Sequence, residues 1–355
     1  MLRKSFILAI VMLFVITLAN AQGQQRMKMA LVGFYNLENL YDTVDDPHKN
    51  DEEFLPQGKN AWNSEKYITK LHNMAYAIST IGTDKNDKPY ISPDGLWVLG
   101  VSEIENRHVL EDLVKQPEIA DRNYQIVHYD SPDRRGVDVA LLYNPSHFRV
   151  TNHKSYRLNV PGQPNFISRD QLVVTGILDD EEFSFIVMHW PSRYGGEKRS
   201  LPGRMAAASL CRHIADSILA KNPKAKIVMM GDYNDYPTNK SIMEGLRAKG
   251  RVEDMQGDDF FNPMWKMHKN GEGTNYYRDV KGVLDQCIIT KALLKDEKNP
   301  FATYQMYKPV VHSKEFLKQH DGRYNGYPWR SFAGGVWQGG YSDHFPVYLI
   351  LLKKM

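Results

Sequence analysis

The 355-residue sequence predicts an α+β fold in which two β-sheets pack face to face. Strand-like and helix-like segments are intermixed along the chain. Most strand-like runs are continuously apolar, which is typical of strands covered on both faces. Residues 172–190 are a candidate antiparallel hairpin, so the sheets are not purely parallel. No linker or internal repeat divides residues 22–355, which we predict to form one domain.

Eight strands and three helices are predicted in order along the chain. The strands are apolar runs bounded by polar segments, at 27–35, 96–101, 137–143, 172–178, 183–190, 226–230, 283–290 and 346–352. The helices place apolar residues at helical spacing over 63–81, 109–119 and 203–220. Residues 43–60 are predicted to form a surface loop. Residues 299–340 are predicted to be irregular, and so long a loop is usually functional or mobile.

The first 21 residues have the features of a signal peptide. Arg3 and Lys4 precede an apolar stretch over residues 6–18, and Ala19-Asn20-Ala21 fits a cleavage site of the A-x-A type. The apolar stretch is short for a transmembrane helix, although an uncleaved anchor is the alternative. We therefore predict an exported protein, periplasmic or secreted, without a stable membrane anchor.

Charge and cysteine content limit the possible partners and cross-links. Removal of Arg3 and Lys4 lowers the formal net charge from +3 by two, so the mature chain has no bulk attraction to nucleic acid and any attraction is local. Export permits a disulfide between Cys211 and Cys287. Because these residues fall in a predicted helix and a predicted buried strand, two buried thiols are the favoured interpretation.

Polar side chains occur at or near the ends of six predicted strands. They are Asn, Glu, Asp and His, and the sequence contains neither a cysteine ligand cluster nor an HExxH motif. Such residues suit a hard, oxygen-ligated cation and an activated water molecule. The candidates are Asn36, Glu103, His189, Asp232, Asn234, Asp285, Asp343 and His344.

Two short motifs connect these residues to a known family. Gly231-Asp232-Tyr233-Asn234 matches a GD-aromatic-N motif, and Ser342-Asp343-His344 matches a terminal SDH motif. In these motifs, and in the order of the other candidates, the chain resembles the deoxyribonuclease-I-like endonuclease/exonuclease/phosphatase superfamily. The resemblance covers nearly the whole mature chain. It implies a four-layer α/β/β/α sandwich with two packed mixed sheets, and we expect a monomer.

Asp232 and Asn234 are the candidates for activating water. Residues two apart project to the same side of extended chain, so this carboxylate and amide can converge on one water molecule. Gly231 is expected to let the chain turn tightly where the strand ends. The alternative is a simple Asp/Asn turn. The resemblance implies that Asp232 positions or deprotonates the attacking water and that Asn234 helps to hold it.

The SDH motif supplies a histidine next to the phosphate. The resemblance implies that His344 acts in the attack on phosphorus, either as a general base or as a cation. Asp285 is the favoured orienting acid for His344, and Asp343 is the favoured group on the metal side. These two roles could be exchanged.

Glu103 and Asn36 are the candidate metal ligands. An anionic and a neutral oxygen suit Mg²⁺ or Mn²⁺, which retain most of their water molecules. The resemblance implies that Glu103 is the main ligand and that Asn36 lies beside it. Glu105 competes with Glu103, and Glu38 competes near Asn36, because each is a nearby acid.

One further histidine and several arginines complete the predicted site. The resemblance implies that His189 stabilises phosphate oxygens or protonates the leaving group, and that Arg169 steadies the site unless it is a surface residue. Arg193 is expected to bind substrate, although a solvated rim is the alternative. It is one of several loop cations near the expected mouth, with Arg134, Arg135, Lys198, Arg199 and Arg204.

We predict an exported, metal-dependent phosphoesterase in which an activated water attacks phosphorus in line. A phosphodiester, first of all nucleic acid, is the expected substrate, because no deep pocket of converging arginines for a phosphate dianion is evident. The alternatives are a phospholipid or phosphoinositide phosphoesterase, a phosphatase, and a non-catalytic binding protein. The intact set of candidate residues argues against the last of these.

Overall fold

The computed structural model describes residues 26–85 and 91–355, so the predicted signal peptide lies outside the described residues. The helices are α1 Ser64–Thr80, α2 Arg107–Val114, α3 Glu197–Lys221 and α4 Met264–Lys269. The strands are β1 Met27–Leu40, β2 Val98–Ile104, β3 Gln125–His128, β4 Asp138–Tyr143, β5 Phe148–Tyr156, β6 Gln171–Leu178, β7 Glu181–His189, β8 Lys226–Asp232, β9 Ala248–Lys249, β10 Phe260–Phe261, β11 Asn275–Tyr277, β12 Val280–Gly282, β13 Asp285–Ile289, β14 Gln305–Val311, β15 Phe332–Ala333, β16 Val336–Trp337 and β17 Val347–Lys354.

Two large mixed sheets form the centre of the molecule. One has six strands in the order β14-β17-β1-β2-β4-β3, and the other has seven in the order β5-β6-β7-β8-β13-β10-β9. The pairs β1–β2 and β7–β8 are parallel, whereas most other neighbours are antiparallel, including the predicted β6–β7 hairpin. Two small hairpins, β11–β12 and β15–β16, lie outside these sheets.

Side-chain alternation along the central strands produces four layers. In β1, Ala30, Val32 and Phe34 pack into a core shared with residues of the seven-stranded sheet. The intervening Leu31 and Tyr35 pack against residues of α1 and α2. The outer face of the seven-stranded sheet is covered in the same way by α3. Each central strand is therefore apolar on both faces. The predicted α+β fold and four-layer sandwich are confirmed.

The strands that the sequence did not predict are at or near sheet edges. β5, β14 and β3 each occupy the end of a sheet, where one long side of the strand has no partner. In β5, most side chains are exposed or partly exposed, and β14 contains Pro309, which an edge strand tolerates. A search for continuous apolar runs therefore missed them. Part of the segment 299–340, predicted to be irregular, is the strand β14.

The helices also differ from the predicted bounds. α3 begins six residues earlier than expected, with Pro202 inside it. Arg204 supports the extra turn, because its guanidinium donates to the Glu197 carbonyl oxygen at 3.0 Å and to Ser200 Oγ at 2.8 Å. Cys211 and Cys287 are buried free thiols, as favoured. Within residues 26–85 and 91–355, no helix has the length and apolar character needed to cross a membrane.

Candidate active site

Three neighbouring strands of the seven-stranded sheet bring predicted residues into register. His189, the last residue of β7, pairs with Asp232, the last residue of β8. Asp285, the first residue of β13, pairs with Asp232 from the other side. Because β7 and β8 are parallel and β13 is antiparallel to β8, all three side chains lie at the same end of the sheet.

Gly231 has a role other than the one expected from the sequence. It lies inside β8, opposite Met188 of β7, and no turn occurs at this position. A Cβ atom at residue 231 would lie 2.1 Å from the Met188 carbonyl oxygen. Glycine is therefore needed for the close approach of two backbones, which keeps His189 beside Asp232.

The six-stranded sheet contributes Asn36 and Glu103 through irregular strand geometry. The β1–β2 register shifts between Asn36 and Leu40, and the β2–β4 register shifts between Ser102 and Ile104. Glu103 has a positive φ of 58°, which is rare for a residue with a side chain. Such bulges re-aim side chains near functional sites, and here they turn Glu103 toward the other sheet.

Asn36, Glu103, His189 and Asp232 form a cluster between the two sheets. Asn36 Nδ2 lies 3.2 Å from Glu103 Oε1 and 3.2 Å from Asp232 Oδ2. His189 Nε2 lies 3.8 Å from Glu103 Oε1 and 3.6 Å from Asp232 Oδ2. Glu103, His189 and Asp232 each offer a ligand atom within 4.8 Å of the others, so they could hold a metal ion.

The electrostatics of this cluster fit a divalent cation. Burial, reinforced by the nearby Asp285 carboxylate and only partly offset by His344, raises the pKa of Asp232 to about 7. Burial and the nearby Arg169 and Arg135 hold the pKa of His189 well below its ordinary range, so this histidine is neutral. Mg²⁺ and Mn²⁺ prefer carboxylate oxygen ligands, and a divalent cation would stabilise the charged form of the buried Asp232 carboxylate.

His344 and Asp285 form a second, adjoining group. His344 Nδ1 is 2.7 Å from Asp285 Oδ2, and His344 Nε2 lies 4.0 Å from Asp232 Oδ2. Burial opposes protonation of the imidazole, but the attraction of Asp285, Asp343 and Asp232 outweighs it and raises the pKa of His344 well above its ordinary range. The geometry places Asp285, rather than Asp343, against His344 Nδ1.

Asp343 lies beside the cluster of Asn36, Glu103, His189 and Asp232 rather than within it. Its Oδ2 atom accepts from Arg330 Nη2 at 3.0 Å, and its Oδ1 atom is 3.8 Å from His344 Nε2. Its side chain is 26% exposed, and it lines the cleft above the site. The metal-ligand role of Asp343 stays a prediction. Among the described residues, the two groups around Asp232 that lie closely enough to share an ion are Glu103, His189 and Asp232, and Asp232, Asp285 and His344.

Asn234 is held in a left-handed conformation next to Asp232. Its φ is 50°, and its backbone N–H donates to Asp232 Oδ1 at 2.9 Å. Its side-chain Nδ2 donates to the Trp190 carbonyl oxygen at 3.0 Å. The Asn234 amide is therefore fixed between the ends of β7 and β8, facing the cleft.

The two predicted substrate arginines lie at the cleft, and both guanidinium groups are held by protein. Arg169 is buried and donates to Asp133 Oδ2 at 3.0 Å and to the Trp190 carbonyl oxygen at 2.7 Å. Arg193 donates to the Asn234 carbonyl oxygen at 2.8 Å and to Asp235 Oδ1 at 3.0 Å. These contacts support the site residues directly. Substrate binding by either arginine stays a prediction.

The two competing acids lie in other surroundings. Glu38 accepts from Arg330 Nε at 3.1 Å and from the Ser331 N–H at 2.7 Å, and the buried ammonium of Lys70 lies 4.0 Å away. Glu105 accepts from the backbone N–H of Asp42 at 2.8 Å. Among the described residues, two groups could share a metal ion with Asp232, and neither Glu38 nor Glu105 is in them.

Sequence reasoning missed several residues that support the site. Asp235 is 1% exposed and accepts from Arg193 and from Ser241 Oγ at 2.5 Å, and its Oδ2 atom forms an ion pair with Arg204, 2.7 Å from Nε. Its position directly after the GD-aromatic-N motif, at the end of the same polar segment, was the available signal. Arg330 lies in the long segment predicted to be irregular. The sequence of that segment gives no indication that Arg330 contacts Asp343.

An open cleft of about 890 Å³ lies over both groups. Its floor is formed by acidic and histidine side chains of the site, and its walls include exposed aromatic residues. Tyr194 is 92% exposed and Tyr277 is 63% exposed. Four arginines line the same cleft: Arg135, Arg169, Arg193 and Arg278. Of these, Arg278 is the one that the sequence analysis had not suggested.

The arrangement agrees with a family assignment from sequence. A family model described as "Endonuclease/Exonuclease/phosphatase family" matches residues 31–353, which is nearly the whole chain. The chain belongs to this family. Members of the family hydrolyse phosphate esters and depend on a divalent metal ion, so the cleft is the candidate active site. No curated protein matches the chain at a significant level.

Solved structures share the fold at low sequence identity. A family protein from Bacteroides thetaiotaomicron has a TM-score of 0.52 at 15% identity, covering 94% of this chain and 98% of that chain. TDP2 from Caenorhabditis elegans has a TM-score of 0.52 at 16% identity, covering 91% and 74%. A mannosyl-6-phosphatase from B. thetaiotaomicron has a TM-score of 0.51 at 15% identity, covering 91% and 99%.

Proposed function

We propose that this protein is a divalent-metal-dependent phosphodiesterase, with nucleic acid as its expected substrate class. The observation that carries the proposal is the convergence of Asn36, Glu103 and His189 on Asp232 from two different sheets. Adjacent to them, His344 is paired with Asp285. A non-catalytic binding protein would have no need to bury so many charged groups around one space.

The residues of the cleft have complementary roles in attack by water. Asp232, whose pKa is raised to about 7, can accept a proton from a water molecule that Asn234 helps to orient. Protonated His344 can donate a hydrogen bond to a phosphate oxygen, while Asp285 holds its ring. A cation between Glu103 and Asp232 would offset negative charge that develops on the phosphate. The new bond joins the water oxygen to phosphorus, and the bond to the ester oxygen opposite it breaks. That oxygen takes up a proton from solvent and leaves as an alcohol.

Features around the reacting groups support a polymeric, anionic substrate. The cleft is open and far larger than one phosphate group, and arginines lie along its walls. The exposed rings of Tyr194 and Tyr277 are surfaces on which bases can stack. Local positive charge of this kind supplies the attraction that the nearly neutral mature chain lacks as a whole.

A phosphomonoesterase is the second candidate. The sequence-based preference for a diester rested on the lack of converging arginines, and four arginines line the cleft. Arg135 is 48% exposed and lies 3.6 Å from Asp133, so it can turn toward a phosphate dianion. One of the solved structures with this fold is named a mannosyl-6-phosphatase.

Export and oligomeric state are further parts of the proposal. The Ala19-Asn20-Ala21 sequence and the preceding apolar stretch support cleavage before Gln22. Mass spectrometry of the exported protein should find Gln22 at the N-terminus, and intact Met1 in the membrane fraction would contradict export. Size-exclusion chromatography should show a monomer.

A hydrolysis panel tests the proposed function. Purified protein is assayed with Mg²⁺ and with Mn²⁺ on single-stranded DNA, plasmid, RNA, bis(p-nitrophenyl) phosphate, p-nitrophenyl phosphate and glycerophosphodiesters. Asp232→Asn serves as the inactive control for contaminating enzymes. The proposal requires diesters to be cleaved with higher kcat/KM than the monoester. A monoester preference establishes the second candidate instead, and cleavage of lipid head groups alone rules out the nucleic acid assignment.

A further inference from the structure

A second pocket adjoins the cleft and is built mainly by the segment around residues 319–338. We call it the tyrosine pocket, and its volume is about 370 Å³. One wall comes from the β11–β12 hairpin and the other from the long segment that the sequence predicted to be irregular. The residues that matter below are Tyr276, Arg278, Asp279, Arg323, Tyr324 and Tyr327.

The tyrosine pocket is fixed in position relative to the reacting groups. Arg278 lines both the cleft and the tyrosine pocket. Arg330, which also lines the pocket, contacts Asp343 at 3.0 Å and Glu38 at 3.1 Å. Lys70 is fully buried and donates to Ser331 Oγ at 2.7 Å, which ties the next residue to α1. The wall of the pocket is thus anchored to the acids of the site.

The chemistry of the tyrosine pocket favours a planar ring and an anion. Tyr327 lies between Tyr276 and Tyr324, with ring centroids 4.6 Å and 5.4 Å away. Tyr324 is 52% exposed, so part of its ring surface is open to a ligand. Aromatic faces and guanidinium planes bind nucleobases without demanding a particular sequence.

The charges of the tyrosine pocket favour an anionic occupant. Asp279 is the acidic side chain among its lining residues, and it already accepts from Tyr327 and from Arg323 at 3.4 Å. Arg330 is already paired with Glu38 and Asp343, so Arg278 supplies the excess positive charge of the lining, which suits a phosphate.

We propose that the tyrosine pocket is a substrate subsite for a nucleoside neighbouring the scissile phosphate. Its base lies against Tyr324, and its next phosphate lies on Arg278 or Arg323. This inference rests on the proposed phosphodiesterase function and adds to it the site that selects a polynucleotide over a small diester. The segment around residues 319–338 would then contribute to substrate selection.

Kinetics with substrates of increasing length test the subsite. The wild type should show a falling KM as single-stranded oligonucleotides lengthen from a dinucleotide. Tyr324→Ala and Arg323→Ala should each raise KM on the longer oligonucleotides by about tenfold or more relative to KM on bis(p-nitrophenyl) phosphate. The kcat on oligonucleotides should change far less than KM. Tyr324→Phe retains the ring and should restore binding.

Tyr307→Ala is the matched control, because Tyr307 is 42% exposed and lines neither the cleft nor the tyrosine pocket. Equal KM values for Tyr324→Ala, Arg323→Ala and this control would overturn the subsite. So would an increase in KM confined to sugar phosphates or glycerophosphodiesters.

A binding measurement separates the subsite from the proposed function. Fluorescence anisotropy reports the affinity of a labelled oligonucleotide for the wild type and for Tyr324→Ala. If the wild type hydrolyses no diester yet Tyr324→Ala weakens oligonucleotide binding, the proposed function fails and the subsite stands. If diesters are hydrolysed and Tyr324→Ala binds as tightly as the wild type, the subsite alone fails.

Discussion

Asp232 is the residue on which both groups of the site meet. Its Oδ2 atom is 3.2 Å from Asn36 Nδ2, 3.6 Å from His189 Nε2 and 4.0 Å from His344 Nε2. The two histidines differ in charge although both are buried. Burial, with smaller contributions from Arg169 and Arg135, holds the pKa of His189 low. At His344 burial acts in the same direction, but the attraction of nearby carboxylates outweighs it and holds the pKa high. Environment thus suits His189 to act as a neutral ligand or donor and His344 to act as a cation.

Removal of the reacting groups should abolish turnover without unfolding the protein. Asp232→Asn and His344→Ala should each lower kcat by roughly 10²–10⁴-fold, because each removes a group that acts on the water or the phosphate. Circular dichroism and the melting temperature check that the fold is intact. His108→Ala is the control, since His108 is an exposed residue of α2 at 65% exposure. A His344→Ala variant with near wild-type kcat would contradict the mechanism.

The His344–Asp285 pair should make stability depend on pH. The folded-state pKa of His344 is raised, so the stabilisation is fully present below its unfolded pKa of about 6.5 and is lost as pH rises through the folded pKa. Asp285→Asn should therefore lower the free energy of unfolding most at low pH, by about 2 kcal/mol, and less at high pH. Urea unfolding in chelator at a series of pH values measures this difference.

Asp94→Asn is the comparison for that experiment. Asp94 pairs with His147 at 2.8 Å, but its side chain is 55% exposed, so solvent weakens the pair. The loss of stability at low pH should be smaller in this variant. A difference for Asp285→Asn that grows with pH would contradict the assigned charge of His344.

At the level of single residues, the sequence could predict which residues belong to the candidate site, but it could not fix which of their atoms contact each other. Asp232, Asn234 and His344, which the two motifs supplied, line one cleft. The sequence analysis favoured Asp285 over Asp343 as the partner of His344 but left the two roles exchangeable. The contact of Asp285 with His344 Nδ1 depends on the β8–β13 register, which no local pattern specifies. The contact between Arg330 and Glu38 joins positions 292 residues apart, and the sequence carries no sign of it.

Strand registers and bulges, rather than loops, position most of the site. His189, Asp232 and Asp285 are terminal strand residues in register, and Glu103 is aimed by a bulge. Apolar runs predicted the central strands well, because both faces of those strands are buried. The same criterion missed the edge strands β3, β5 and β14, which have only one sheet neighbour. It also placed Asn36 after β1, whereas the strand continues past it through a bulge.

Gly231→Ala should distort the β7–β8 pair and with it the site. The new Cβ would lie 2.1 Å from the backbone oxygen of Met188, so the strands must separate, at a cost of about 1–3 kcal/mol. Both the melting temperature and kcat should fall, because His189 moves relative to Asp232. Gly100→Ala is the matched control, since its Cβ would meet the flexible Met230 side chain at 2.8 Å. It should retain more activity than Gly231→Ala, and the reverse order would contradict the role of Gly231.

Asp235 should hold the end of β8 against α3. It is the buried partner of Arg204, which is 0% exposed, so Asp235→Ala leaves a buried guanidinium short of its counter-charge. We expect a loss of about 3–5 kcal/mol in the free energy of unfolding. Asp216→Ala, on the same helix with a side chain 43% exposed, should cost less than about 1 kcal/mol. Equal melting temperatures for the two variants would contradict this role.

In the whole molecule, the two sheets divide the chemistry of the site between them. The six-stranded sheet supplies Asn36 and Glu103, and the seven-stranded sheet supplies His189, Asp232 and Asp285. His344 precedes β17, and its backbone pairs with Asn275 of the β11–β12 hairpin. The site therefore exists only when both sheets pack together. Family resemblance predicted this architecture, whereas substrate choice depends on the cleft walls and the segment around residues 319–338, which motifs do not describe.

Hydrolysis of bis(p-nitrophenyl) phosphate before and after metal removal tests the metal-dependent mechanism most directly. The rate is measured for the wild type in excess chelator and again after Mg²⁺ or Mn²⁺ is restored. Because Glu103 and Asp232 crowd buried oxygen ligands around one space, the rate should vanish in chelator and return with the ion. Glu103→Gln should require a much higher ion concentration. Undiminished hydrolysis in chelator would contradict the mechanism.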